Sequence, residues 1–211
     1  MAAAAVACAL LVPAFAAAQD SFGGARKAPQ TQQQPVQQPA QSAQPPAQRP
    51  AVPAAQDPAE AKELEDYGVP AQDTLHSGAM HAATPNRIPG GLVITTRALV
   101  AMLQEGGSGV LLFDVLGGRE ALPNALQAAW VSQPGHFNDQ VQQQFVQALT
   151  AQLQGRTDTP LVFYCESTEC WMSYNAALRA IKAGYSQVFW YRGGLVAWKA
   201  AGLPTQPTGP R

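Results

Sequence analysis

In the C-terminal half of the chain stands the stretch Leu161-Val-Phe-Tyr-Cys165-Glu-Ser-Thr-Glu-Cys170-Trp171. Its first four residues are apolar or aromatic and follow a Thr-Pro turn signal, so we predict a short buried strand at 161–164. A polar loop follows, with a cysteine at each end. From Met172 the chain has helical spacing as far as a stop at Gly184. This pattern predicts a strand, a loop and a helix, with Cys165 between strand and helix.

A thiol at such a position faces free backbone N–H groups and the positive end of the helix dipole. These groups stabilise a thiolate or a bound anion. The alternative is a buried structural cysteine, which we disfavour because a polar loop is a poor place to bury one.

Strands and helices alternate along this part of the chain. We predict strands at 92–94, 110–115, 128–131, 161–164 and 187–191, and helices at 95–104, 137–153, 172–184 and 193–202. The 110–115 strand is apolar on both faces, as in a parallel sheet between helices. The alternation predicts an α/β fold with a mainly parallel central sheet and helices on both faces. Sites of such sheets lie at the carboxyl ends of the strands, where we place Cys165 and Asp114.

The chain has 211 residues, 13% of them charged, with a net charge of −1. No basic block indicates nucleic acid, and no apolar run is long enough to span a bilayer, so we predict neither partner. Residues 1–18 are apolar and end in small residues, which predicts a signal peptide and a periplasmic or secreted protein. Cys8 lies inside this segment and raises the alternative of a lipoprotein. Cys165 and Cys170 then share an oxidising compartment, where such a pair can form a disulfide.

Residues 19–58 are rich in Gln, Pro and Ala and have no apolar periodicity. We predict a disordered linker here, with a proline-rich ligand as the alternative. Residues 59–91 have no strong period and form a predicted irregular extension. The domain itself is predicted over residues 92–207.

Two later segments resemble a known family, namely Ala183-Gly-Tyr185 and Gly193-Gly-Leu-Val-Ala-Trp-Lys-Ala-Ala-Gly-Leu-Pro204. Together with Tyr164-Cys165 they resemble the C-terminal half of a rhodanese (sulfurtransferase) domain, and Phe113-Asp114-Val115 resembles that family's Asp-Val-Arg strand end. The resemblance covers about residues 94–204. It implies that Cys165 accepts a sulfane sulfur as a persulfide and passes it to a nucleophile, with Ser173 and Asp114 in support.

A narrower resemblance rests on Cys170-Trp171-Met-Ser-Tyr-Asn-Ala-Ala-Leu-Arg179 behind an export signal. This segment is similar to the periplasmic rhodanese-like proteins of PQQ-dependent alcohol catabolism, which are known by a CXXCW motif. The resemblance implies accessory work near a quinoprotein dehydrogenase or a cytochrome. No pocket signature for PQQ is present, so we predict that no cofactor is bound.

The loop departs from the family in its charge. Its residues are Glu166, Ser167, Thr168 and Glu169, with no basic residue among them, and Leu116 stands where the family has arginine. The carboxylates repel an anionic donor such as thiosulfate and favour a neutral thiol. One pKa unit is about 1.4 kcal/mol, and a helix start supplies roughly 0.3–1 kcal/mol. Since these effects are of similar size, the sequence leaves the ionisation of the thiol open.

Other chemistries fit less well. A cysteine phosphatase needs arginine where Trp171 stands, and a c-type haem needs Cys-x-x-Cys-His. Zinc needs about four ligands, and the three histidines are scattered, so we predict no metal site. Trp171 either covers the site or packs in the core.

Two hypotheses therefore stay open. In the first, Cys165 is a reactive thiol that handles persulfide sulfur or exchanges a disulfide with Cys170, and its partners are a sulfur donor, a sulfur acceptor or a redox protein. In the second, the domain is a non-catalytic docking module and the cysteines form a structural bond. A disulfide that closes so short a loop removes little unfolded-state entropy, which favours the first hypothesis.

Overall fold

The computed structural model describes residues 58–106 and 109–209. The predicted signal peptide and all of the predicted linker except Pro58 lie outside the described residues. Within the described ranges, no helix combines the length and the apolar character needed to cross a membrane.

The described residues form an α/β fold. The strands are β1 Leu92–Val93, β2 Leu111–Asp114, β3 Glu120–Ala121, β4 Leu126–Gln127, β5 Leu161–Tyr164, β6 Val188–Tyr191 and β7 Gln206–Pro207. The helices are α1 Pro58–Glu63, α2 Thr96–Gly106, α3 Gln140–Leu153, α4 Trp171–Lys182 and α5 Gly194–Ala200. Five strands form one sheet in the order β1-β6-β5-β2-β4, and every pairing in it is parallel. β3 and β7 form a separate antiparallel pair.

Strand β5 lies in the middle of the sheet, and its side chains alternate between two cores. Leu161 and Phe163 belong to one core cluster, which also contains side chains of α3 and α4. Val162 and Tyr164 belong to the other, with Leu99 of α2 and Trp198 of α5. Helices therefore cover both faces of a mainly parallel sheet, as predicted. The carboxyl ends of β2, β5 and β6 share one edge, because Asp114, Tyr164 and Tyr191 are in register.

One predicted strand is wrong. Residues 128–131 do not extend the sheet, and Ala129–Ser132 is instead a 3₁₀ turn. Local bonds hold this turn: Val131 N donates to Ala128 O at 3.0 Å, and Ser132 Oγ donates to Ala129 O at 2.6 Å. The edge strand comes slightly earlier, at Leu126–Gln127. An apolar run as short as this one fits a buried turn as well as a strand.

The predicted start of the third helix is also wrong. Phe137 precedes the helix, which begins at Gln140 because Asp139 caps it. The Asp139 carboxylate accepts from Gln142 N at 2.7 Å, as an N-cap residue does. Helix α1 was not predicted. It lies at the boundary between the predicted linker and the predicted extension.

Candidate functional site

The two cysteines of the loop are bonded to each other. Cys165 directly follows β5, Cys170 directly precedes α4, and a disulfide joins them. Their residues are 1% and 0% exposed to solvent. Cys165 therefore has the predicted place at the edge of the sheet. The expectation that a polar loop would leave it exposed is wrong, because residues from the N-terminal extension cover the loop.

The polar side chain of Ser173 lies within hydrogen-bonding range of the disulfide. Its hydroxyl lies 3.5 Å from Cys165 Sγ and 3.5 Å from Cys170 O. The same oxygen accepts a hydrogen bond from Trp190 Nε1 at 2.9 Å. Because Trp190 donates to this oxygen, the hydroxyl proton of Ser173 can point at Cys165 Sγ or at Cys170 O. Ser173 is thus placed to donate to a Cys165 thiolate once the disulfide opens.

The first turn of α5 fixes the start of the loop. Leu195 N donates to Cys165 O and Val196 N donates to Glu166 O, both at 2.9 Å. Gly194 has a φ of +59°, and a Cβ there would lie 2.5 Å from Cys165 O. Only glycine permits both this backbone conformation and this close approach. The Gly193-Gly194 pair thus sets the position of the backbone at Cys165.

Residues 67–84 of the extension run across the loop, and we name this segment the strap. Its Thr84 Oγ1 donates to Thr168 O at 2.6 Å, and Tyr67 Oη lies 2.9 Å from Thr168 Oγ1. Thr168 is therefore buried, whereas Glu166 and Glu169 point to solvent and Ser167 is half-buried. The strap binds the middle of the loop and leaves its two carboxylates exposed.

The strap also covers Trp171 and the start of α4. Trp171 N donates to Met80 O at 2.8 Å, and its indole N–H donates to Ala83 O at 3.1 Å. The His76 ring stacks on the Trp171 ring with centroids 4.0 Å apart. The expectation of free N–H groups at this helix start is therefore wrong for the first of them, which is bound to the strap. Trp171 is both a core residue and part of the cover of the site.

His81 lies beside both ends of the loop. It pairs with Cys170 in an antiparallel bridge, and its Nδ1 lies 3.6 Å from Glu166 Oε2. Both side chains are more than half exposed, at 60% and 51%. An ion pair so exposed contributes little to stability.

Arg192 holds the strap in place. It is not among the site residues predicted from the sequence. Its guanidinium donates to Thr84 Oγ1 at 3.0 Å, to Thr84 O at 2.9 Å, and to the carbonyls of Glu63 and Glu65 at 2.8 Å each. Burial lowers the pKa of Arg192. A signal for it was available: Arg192 directly follows β6, so the parallel-sheet rule places it at the same edge as Cys165.

Asp114 organises the neighbouring turn. Its carboxylate accepts from Leu116 N at 2.9 Å and from Gln127 Nε2 at 3.0 Å. Tyr164, in register beside it, accepts from Leu122 N through its hydroxyl at 2.9 Å. Burial, and then the charge of Asp114, raise the pKa of Tyr164. Through these contacts Asp114 fixes the turn after β2 at the predicted edge of the sheet.

No cluster of three or more His, Cys, Asp or Glu side chains suited to a metal ion occurs between residues 58 and 106 or between 109 and 209. The polar groups that the structure shows within 3.5 Å of Cys165 Sγ are the Ser173 hydroxyl and the Cys170 carbonyl.

The family model of the rhodanese-like domain matches residues 96–201. This chain therefore belongs to the rhodanese-like family, whose domains suggest sulfurtransferase-like or thiol chemistry and partners that give or take sulfur. No curated protein matches the chain.

The solved structures that are similar to part of it include the following three. A full-length protein from Lactobacillus plantarum shares 17% identity, with 56% of this chain and 88% of that chain covered and a TM-score of 0.40. The Alr3790 protein from Anabaena sp. shares 21%, with 55% and 82% covered and a TM-score of 0.41. RPA3614 from Rhodopseudomonas palustris, described as of unknown function and a possible tyrosine phosphatase, shares 21%, with 55% and 85% covered and a TM-score of 0.39.

Proposed function

We propose that this protein is an exported rhodanese-like protein in which Cys165 is the reactive thiol and Cys170 its resolving partner. The observation that carries the proposal is the bond between them: Cys165, which the family resemblance marks as the sulfur acceptor, is held as a disulfide beside the Ser173 hydroxyl. The apolar, small-residue segment at 1–18 supports export.

The cycle would begin with reduction of the disulfide by a thiol reductant. A thiolate of the reductant attacks one sulfur, forms a mixed disulfide and expels the other cysteine as a thiolate. A second thiol of the reductant then attacks the mixed disulfide. The reductant leaves as a disulfide, and the bound cysteine is released as a thiolate. Two electrons and two protons thus pass to Cys165 and Cys170.

Sulfur transfer would follow at the freed Cys165. Its thiolate attacks the terminal sulfur of a persulfide donor, and the donor leaves as a thiolate while Cys165 becomes a persulfide. Cys170 then attacks the inner sulfur, releases hydrosulfide and restores the disulfide. An acceptor thiol that takes the outer sulfur first would leave Cys170 free. The exposed Glu166 and Glu169 disfavour a dianionic donor such as thiosulfate.

The Cys170-Trp171 segment supports the finer proposal that this work is accessory to PQQ-dependent alcohol catabolism. The partner would then be a quinoprotein dehydrogenase or a cytochrome. The domain itself would bind no PQQ, and saturable PQQ binding by the purified protein would overturn this part of the proposal.

A second candidate function is a docking module in which the disulfide is structural. The burial of both cysteines favours it, because an inaccessible disulfide meets reductants slowly.

Intact mass spectrometry distinguishes the two. Under native conditions with a mild thiol, the first function predicts a gain of two hydrogen atoms in minutes. Addition of a persulfide donor should then add one sulfur atom to Cys170→Ser, whereas the unsubstituted chain should release hydrosulfide and lose the two hydrogens again. The sulfur should be absent from Cys165→Ser. A bond that opens only in denaturant would support the docking module.

A further inference from the structure

A groove of about 580 Å³ lies beside the loop that joins the two cysteines. Four pieces of the chain line it: α1, Tyr67 of the strap, loop residues 166–169, and α5 with Gly193 before it. Its volume is in the range of ordinary ligand sites. The cysteines do not line it, so the groove is separate from the disulfide but shares the loop with it.

The groove is lined by two kinds of side chain. One kind is small and apolar: Ala59, Val196, Ala197 and Ala200. Val196 is 55% exposed, the most exposed of the large hydrophobic residues described. The other kind is charged: Glu166 and Glu169 come from the loop, and Lys62 is the single cationic side chain among the lining residues.

Further negative charge lies on the side of α1. Glu63 lines the groove and accepts from Thr96 N at 2.8 Å, and the exposed Glu65 and Asp66 follow it in the chain. A lining that combines apolar side chains with mostly anionic charged ones is complementary to a lysine or arginine side chain. Such a side chain lays its alkyl stem on apolar surface and keeps its cation among carboxylates.

We propose that the groove binds an extended segment of a partner protein that carries a lysine or arginine. The stem of that side chain lies along Val196 and Ala200, and its cation lies between Glu166 and Glu169. The inference rests on the proposed function, because it describes the partner that would exchange sulfur or electrons with Cys165. A segment docked there touches the residues between the two cysteines and brings a neighbouring thiol to the disulfide.

Binding can be measured without any sulfur chemistry. The full-length oxidised protein is titrated into three fluorescein-labelled nine-residue peptides in which alanine alternates with lysine, serine or glutamate. At low ionic strength we expect the lysine peptide to bind about fivefold more tightly than the serine peptide, and the glutamate peptide to bind most weakly. Salt should reduce the difference, because the carboxylates are exposed.

Substitutions locate the binding surface. The double variant Glu166→Gln/Glu169→Gln should abolish the preference for lysine, and Val196→Asp should weaken binding of the serine peptide. Glu105→Gln, which removes an exposed carboxylate of α2, is the matched control and should leave all three affinities unchanged within about twofold. A preference for lysine that survives the double variant would overturn the assignment. So would binding of lysine amide as tight as that of the peptide, since the groove would then serve a small amine.

A last arm separates this inference from the proposed function. In each peptide one alanine is replaced by cysteine. Its thiolate would attack the disulfide, form a mixed disulfide with one cysteine and release the other as a thiolate, so mass spectrometry would detect the gain of one peptide. A peptide that binds as expected but leaves the disulfide intact would contradict the thiol chemistry and preserve the groove. Reduction at equal rates by the lysine, serine and glutamate versions would contradict the groove and preserve the chemistry.

Discussion

The hydroxyl of Ser173 lies 3.5 Å from the sulfur of Cys165, and Trp190 orients that hydroxyl through a 2.9 Å hydrogen bond. The three residues come from α4, the end of β5 and β6, so the sheet and one helix assemble this contact. All three are buried. When the disulfide is open, a hydrogen bond from the Ser173 hydroxyl would stabilise the thiolate of Cys165.

Ser173→Ala should remove this donor and leave the indole N–H of Trp190 buried without its acceptor. We expect a loss of about 1–3 kcal/mol in the free energy of unfolding. Alkylation of reduced Cys165 by iodoacetamide should slow by about fivefold, because the thiolate loses a hydrogen bond. Urea unfolding and the alkylation rate at fixed pH measure the two effects. Ser186→Ala, at an exposed hydroxyl, is the control, and equal alkylation rates in the two variants would argue against a role for Ser173 at the sulfur.

Gly194→Ala should disturb the loop at Cys165. The new Cβ would meet Cys165 O at 2.5 Å in a backbone of φ +59°. Gly155→Ala is a matched control, because its φ is +79° and no atom lies within 4 Å of its Cβ. Both variants carry the strain of a left-handed alanine, about 1–2 kcal/mol. Only Gly194→Ala carries the clash, so urea unfolding should show a clearly larger loss in the free energy of unfolding for this variant. Equal losses in the two variants would mean that the close approach of Gly194 to Cys165 O does not affect stability.

Thr84→Val should loosen the strap. It removes the 2.6 Å bond to Thr168 O and the acceptor of Arg192 Nε, both of which are buried. We expect a loss of about 1–3 kcal/mol in stability and reduction of the disulfide by dithiothreitol about tenfold faster, since local opening becomes easier. The control is Thr150→Val on the exposed face of α3. An unchanged reduction rate in a destabilised Thr84→Val variant would show that the strap does not protect the bond.

The ion pair of Asp139 and Arg179 should make stability depend on acid pH. Arg179, fully buried in α4, donates to both carboxylate oxygens of Asp139 at 2.9 and 2.8 Å. These bonds hold the pKa of Asp139 well below its ordinary value. Because the folded pKa is depressed, the stabilisation is complete above the unfolded value of about 3.9 and is lost as the pH falls below it.

Asp139→Asn should therefore cost about 3 kcal/mol at pH 7, where it leaves a buried guanidinium without its counter-charge. The cost should shrink as the pH falls from about 4 towards 2. Urea unfolding across this range measures it, with Asp158→Asn at an exposed turn as the control. A cost near zero across the whole range would assign Asp139 to helix capping alone, because asparagine caps a helix as well as aspartate does.

Local patterns in the sequence predicted most of the fold. The apolar run at Leu161–Tyr164, bounded by a Thr-Pro turn and a polar loop, is a strand buried on both faces, and the helix after it extends to Lys182. These predictions succeeded because a central parallel strand leaves a continuous apolar run between turn signals, and an amphipathic helix leaves an apolar period of about 3.6 residues. The run at 128–131 has no such period, and local hydrogen bonds made it a turn. The domain boundaries, the site roles and export stay predictions.

The sequence by itself determined the class of fold and the place of Cys165 between β5 and α4, and it offered Cys170 as a candidate disulfide partner, whereas the bond between them is seen only in the structure. Only the tertiary structure decided that the pair is buried and that Arg192 holds a strap across the loop. The physical reason is the range of the contacts. Strand and helix periods arise between neighbours in the chain, whereas Thr84 and Thr168 are 84 residues apart. Two polar residues so far apart leave no trace of their contact in either local pattern, so the cover over the disulfide becomes visible only when the chain is folded.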